Sequence, residues 1–140
     1  MTSSTTASAP IGLIMIDTVN QVSPEEAEAR HLKAECERVG TLDNLRRLLA
    51  GFRDKGFPAF LSPMSHTDEE YDTWKATVQD PRVMFGNRMF EAGGRQFHPD
   101  FQPSPGDVFV APHKNLDVFA TTDLDIQLSA AASSTWPWWA

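Results

Sequence analysis

The sequence is 140 residues long, 41% apolar and 22% charged, the size and make-up of one globular domain with a real core. A net charge of −7 with scattered basic residues excludes a phosphate-reading surface, so no nucleic acid is expected as partner. No apolar run approaches the ~20 residues of a membrane helix, and the lone Cys36 excludes an internal disulfide and suits a cytoplasmic setting.

Residues 1–10, MTSSTTASAP, are polar and lack the regions of a signal peptide, which predicts a disordered leader. Residues 11–17, IGLIMID, form an unbroken apolar run ending in Asp17, the pattern of a parallel strand covered on both faces. Ser23, Pro24 and Glu26 then give an N-cap, a first-turn proline and a capping-box acid, predicting a helix over 24–38 that Gly40 ends. Thr41 is placed to cap a second helix, with Leu42, Leu45, Leu48, Leu49 and Phe52 on its core face and Gly56 as its stop. Residues 57–63, FPAFLSP, read as a short strand, and strand, helix and strand in that order make a right-handed parallel crossover. Thr67 and Glu70 form a capping box for a helix reaching about Val78. Residues 80–106, rich in Pro and Gly, read as a long surface excursion of the kind that shapes pockets. A third strand is predicted over 107–114, DVFVAPHK, and Thr122 with Asp125 is placed to cap a last helix through Leu124, Ile126 and Leu128.

Asp17 and Lys114 therefore stand at the carboxyl ends of two strands, the edge where open parallel sheets bind ligands. Spacing alone is also met by a helix-capping carboxylate and a solvated lysine. His113, beside Lys114, and His98 are further candidates for the pocket, with plain surface roles equally open. Phe85, Met89, Phe90 and Phe97 either wall a substrate or pack the excursion. His66 and Asp68 are conceivable metal ligands, but they stand in the order His-x-Asp, the reverse of an Asp-x-His metal pair, and no metal site is expected.

KNLDVFATTDL resembles the signature of the isochorismatase-like hydrolases, also called cysteine hydrolases, through Lys114, Asp117, Phe119, Thr122 and Leu124. IGLIMIDTVN is similar to that family's first strand, which ends in a catalytic aspartate followed by an asparagine, here Asp17 and Asn20. The resemblance spans roughly Ile11 to Leu128, and the expected organisation is a partial isochorismatase-like domain over 11–128. It implies a three-layer α/β/α, Rossmann-like parallel sheet of about six strands, of which about three are present here. It also implies a triad of Asp, Lys and Cys acting on a small-molecule substrate without a cofactor. Asp17 becomes the general acid/base and Lys114 the electrostatic stabiliser of a thiolate that attacks an amide-type carbon. Asn20, Phe119 and His113 are the substrate-binding candidates, and the full-length family forms homo-oligomers. Some members lack the nucleophile and cleave the vinyl ether of isochorismate with the aspartate as acid.

The family's cysteine follows a fourth strand and has no counterpart here. Cys36 lies within a predicted helix between Glu35 and Glu37, surroundings that disfavour a thiolate. The sequence as written is accordingly expected to be an inactive member of the family, with an open, apolar first-strand edge prone to association. A non-catalytic α/β interaction module docking through the aromatic tail is the alternative.

That tail, 129–140, ends in Trp136, Pro137, Trp138, Trp139 and Ala140 where the family has a fourth apolar strand and glycine. Tryptophan has the single codon TGG, so TWPWWA must be encoded ACN TGG CCN TGG TGG GCN. Read from the third base of each codon, it becomes NTG GCC NTG GTG GGC, an apolar stretch ending in glycine. The expectation is a non-native, out-of-frame tail, and sequencing the coding DNA beyond Leu128 tests it. The shifted frame should run on into a Thr-x-x-Cys-like stretch; a stop within a few codons would defeat the idea.

Overall fold

The computed structural model of the chain describes residues 11–20, 30–73, 90, 95–114 and 116–132. Three parallel strands, β1 (Leu13–Ile16), β2 (Ala59–Ser62) and β3 (Val108–Phe109), lie in the order β1-β2-β3. Leu13 is in register with Ala59 and Ile16 with Ser62, while Phe60 and Leu61 face Val108 and Phe109. All four β2 residues are buried, as befits the middle strand.

Alternation along the strands sorts their side chains into two cores. Met15, Ala59 and Leu61 pack with Leu49 and Phe101, and Leu13, Leu42 and Leu45 lean on this cluster. Phe60, on the opposite face, packs with Val110, Val118 and Leu124, joined by Ile14, Val108 and Leu128. Helix α2 (Thr41–Asp54) covers the first face and α4 (Leu124–Ala132) the second, so the predicted three-layer α/β/α arrangement is present in this half-sheet. Ile16 remains 50% exposed, because β1 ends the described sheet.

Helix α1 (Arg30–Val39) occupies the latter part of the predicted 24–38 segment, whose start lies outside the described residues. Thr41 does not cap α2. Left-handed Gly40 (φ 66) takes the N-cap position without a side-chain bond, and its carbonyl accepts the Asn44 N–H at 2.9 Å. That conformation costs any residue with a Cβ, so a glycine suits the one-residue joint between the helices. The far end of α2 closes in a Schellman motif: Phe57 N–H donates to Phe52 O and Gly56 N–H to Arg53 O, both at 2.9 Å. The Phe52 and Phe57 rings meet edge to face across it. Leu48, expected on the core face, is instead 43% exposed; the α2 stripe is wider than the surface it covers.

Helix α3 (Asp68–Thr73) follows β2 and opens with the predicted capping box: Thr67 N–H donates to Glu70 Oε2 at 2.7 Å and Glu70 N–H to Thr67 Oγ1 at 3.3 Å. Its predicted extension to Val78 lies outside the described residues. The third strand is shorter than the predicted 107–114. Pro112 has no N–H to offer the ladder, and Ala111 N–H is diverted to the Asp123 carboxylate at 2.8 Å. Pairing with the β2 side resumes beyond that break, where His113 N–H donates to Pro63 O at 3.0 Å. The predicted Thr122 and Asp125 pairing is replaced by Thr122 Oγ1 accepting the Leu124 N–H at 3.1 Å, with Asp125 exposed. Among the described residues no helix is long and apolar enough to cross a membrane.

Two cores held by one central strand make that strand the sensitive element. Leu61→Ala, at a site with 0% exposure, should cost about 2–5 kcal/mol in urea-unfolding free energy. A loss below about 1 kcal/mol would show that the α2 face is not the closed core described above.

Candidate active site

The carboxyl ends of the three strands bring the predicted polar residues to one edge of the sheet. Asp17 follows β1, and its N–H makes the last bond to β2, to Ser62 O at 3.0 Å. Its backbone then turns left-handed (φ 55), a conformation that aspartate tolerates better than most residues. The next residues run antiparallel to the segment around Phe97: His98 N–H donates to Thr18 O and Asn20 N–H to Gln96 O, both at 2.9 Å.

His113 is 1% exposed and its Nε2 lies 2.8 Å from Asp17 Oδ1. A carboxylate can only accept, so Nε2 carries the proton. The bond spans from beyond β3 to the end of β1, across β2. The Asp17 side chain is 27% exposed, which leaves its carboxyl within reach of a solute. His113, one of the substrate-binding candidates, is a buried partner of Asp17 and has no surface role.

The Lys114 ammonium donates to Ser65 O and to Glu70 Oε2, each at 2.7 Å. Its backbone is held as well: Lys114 N–H donates to Thr121 Oγ1 at 3.3 Å, and His66 Nε2–H to Lys114 O at 3.2 Å. Asp17 and Lys114 thus reach the same edge, each with its own partner. Phe119 is 54% exposed, on a turn whose Asp117 Oδ1 accepts its N–H at 3.0 Å. Asn20 is half-buried beyond Asp17. Phe90 and Phe97 pack in an apolar cluster with Val19 and Met64, whereas Phe85 and Met89 lie outside the described residues.

His98 accepts the Asp100 N–H on Nδ1 at 3.2 Å and shares a small cavity of about 130 Å³ with Asp17, Cys36, Leu42 and Phe101. Cys36 is half-buried on α1, so it reaches this cavity from the α2 side of the sheet. Among the described residues no group of three or more His, Cys, Asp or Glu side chains is placed to hold a metal ion.

Local pattern could not reveal the roles of His66 and Glu70. His66 reads as a stray metal ligand and Glu70 as a helix cap, yet both hold Lys114, which lies 44 or more residues away in the chain.

Burial lowers the His66 pKa, aided by the nearby Lys114 ammonium and opposed by the hydrogen bond to the Lys114 carbonyl and by the Glu70 carboxylate. Glu70 is lowered too: its own burial opposes ionisation, but the Lys114 ammonium and the Thr67 N–H together outweigh it. For His66 the folded state binds a proton less readily than the unfolded state. Its contribution is therefore complete above the ordinary value of 6.5 and is lost as pH falls below it. Glu70 adds a loss of the same sign below about 4.5. Melting should thus occur at lower temperature at pH 5 than at pH 7.5, and His66→Gln, which can still donate to Lys114 O, should flatten that difference. An unchanged slope in His66→Gln would remove His66 as its source.

The sequence matches the isochorismatase domain family model over residues 12–135. No curated protein matches it. Among solved structures, an isochorismatase family protein from Desulfovibrio vulgaris superposes with a TM-score of 0.65 at 20% identity, over 86% of this chain and 60% of that one. An N-carbamoylsarcosine amidase from Thermoplasma acidophilum gives 0.58 at 22% identity, over 85% and 60%. An isochorismatase from Pseudomonas putida gives 0.58 at 19% identity, over 87% and 54%. The chain therefore spans 60% or less of the length of these structures, and the likeness to them is one of fold. With the domain model matching nearly all of the described residues, the chain belongs to the isochorismatase family.

Proposed function

We propose that this chain carries the acid/base and cationic parts of a hydrolase that acts on a small molecule, with Asp17 as general acid/base and Lys114 as electrostatic stabiliser. The observation that supports it best is the Asp17 carboxylate held at 2.8 Å by a buried imidazole at the carboxyl edge of a parallel sheet. One carboxyl oxygen is committed to His113, which fixes the orientation of the other for proton transfer.

Two bond types suit these groups. Toward an amide-type C–N bond, as in the relative named for N-carbamoylsarcosine, a thiolate attacks the carbonyl carbon and Asp17 carries the thiol proton to the leaving nitrogen. Toward the vinyl ether of isochorismate, Asp17 protonates the enol carbon and water traps the resulting oxocarbenium ion. The first route needs a thiolate beside Asp17, and the sequence has no cysteine at the family's position. Alone, these 140 residues are expected to be inactive toward amides. Asn20 and Phe119 remain the proposed substrate contacts, one beyond each of the two strand ends that bear the polar residues.

The test compares carbamoyl-amide and isochorismate hydrolysis in this chain and in a product whose reading is moved to the proposed alternative frame beyond Leu128, the frame-restored protein. Hydrolysis should appear on restoration, and Asp17→Asn should lower kcat by roughly 10²–10⁴-fold. Turnover that survives Asp17→Asn would sink the assignment of the acid/base.

A further inference from the structure

Lys114 is the more flexible of the two proposed catalytic side chains, yet the structure leaves it little freedom. Its side chain is 21% exposed, and the ammonium meets two acceptors, Ser65 O and Glu70 Oε2, both in the segment that leaves β2. The same Glu70 oxygen accepts the Thr67 N–H at 2.7 Å, while the Glu70 N–H returns to Thr67 Oγ1. The capping box therefore holds the carboxylate by a bond that does not involve the lysine, and the Glu70 side chain is itself only 22% exposed. On the other side, His66 Nε2–H holds the Lys114 carbonyl and Thr121 Oγ1 takes its N–H, so the main chain that launches the side chain is fixed as well.

We infer that Glu70 is a positioning residue for Lys114: through the first turn of α3 it holds the ammonium at the carboxyl edge of the sheet, apart from the carboxylate of Asp17. The inference rests on the reading of Lys114 as the cation of the site. Under it, α3 delivers a charge to the site without touching substrate, and the lysine's position depends on the Glu70 carboxylate, which the Thr67 N–H holds in place. Asp68 and Glu69 share that turn and are exposed, so the choice of Glu70 follows from the capping box and not from charge alone.

A lysine ammonium locked in a charged hydrogen bond exchanges its protons slowly enough to give a resolved ¹H–¹⁵N signal, whereas a solvated one does not. The protein of 140 residues should show this signal for Lys114 at pH 6 in the cold, assigned by its loss in Lys114→Met. Glu70→Gln keeps an acceptor for the Thr67 N–H but removes the charge; the signal should vanish while the backbone amide spectrum of α3 stays in place. Thr67→Ala removes the hydroxyl half of the cap and leaves the carboxylate, so the signal should persist. Should Glu70→Gln not fold, Glu70→Asp serves the same purpose, since it withdraws the charge by one methylene and should broaden the signal. A signal that survives at full intensity in Glu70→Gln, is lost in Thr67→Ala, or is missing from the unmutated protein overturns the inference.

Failure of the functional reading would look different. If hydrolysis by the frame-restored protein is insensitive to Lys114→Met while the signal still depends on Glu70, the clamp stands and the lysine's catalytic role falls. If both hold, Glu70→Gln should lower kcat by about 10²-fold with KM unchanged, the signature of a displaced charge.

Discussion

The burial of β2 on both faces is the constraint from which the rest of the described structure follows. A strand of Ala59, Phe60, Leu61 and Ser62 with every side chain excluded from water must be flanked by strands and covered by two layers. The alternation of its side chains divides the apolar residues into an α2 core and an α4 core, and slipping its register by one residue would exchange the two. Because both neighbours are parallel to it, their carboxyl ends emerge on one side of the molecule. The edge that carries the polar residues is thus a product of packing.

At that edge the two proposed catalytic groups are tied to one short stretch of chain. In an extended backbone, successive side chains point to opposite sides, so His113 can bond Asp17 while Lys114 bonds Glu70. Pro112 interrupts the ladder just before them, and the Asp123 carboxylate repairs the loss by taking the Ala111 N–H. Burial gives the arrangement its weight. The imidazole of His113 is enclosed, and the Lys114 and Glu70 pair is about four-fifths shielded from water, where a charged hydrogen bond is screened less than on an open surface.

What was legible in the sequence was local. The apolar runs marked β1 and β2, Gly40 marked the end of α1 and Gly56 that of α2, and Thr67 with Glu70 marked the start of α3, because each signal arises from neighbours within a turn or a strand. The arrival of Asp17 and Lys114 at one sheet edge was legible too, since it needs only strand direction. The partners were not. Nothing near Lys114 announces Glu70, and nothing near Asp17 announces His113, because these contacts depend on how separate elements pack. Leu48 and the third strand show the same limit: the helical stripe promised more burial than the sheet could provide, and the 107–114 run hid a break that its apolar residues masked.

The left-handed backbone at Asp17 narrows the substitutions that position can accept. Glycine, asparagine and aspartate occupy that region readily, while other residues pay roughly 1–2 kcal/mol for it. Of those three, only aspartate can carry a proton between partners, and only asparagine preserves its shape without that capacity. Under its proposed role as general acid/base, position 17 is therefore filtered twice, by conformation and by chemistry. Replacement by alanine removes the carboxylate and strains the strand's exit together, so its effect on activity cannot be assigned to either cause alone.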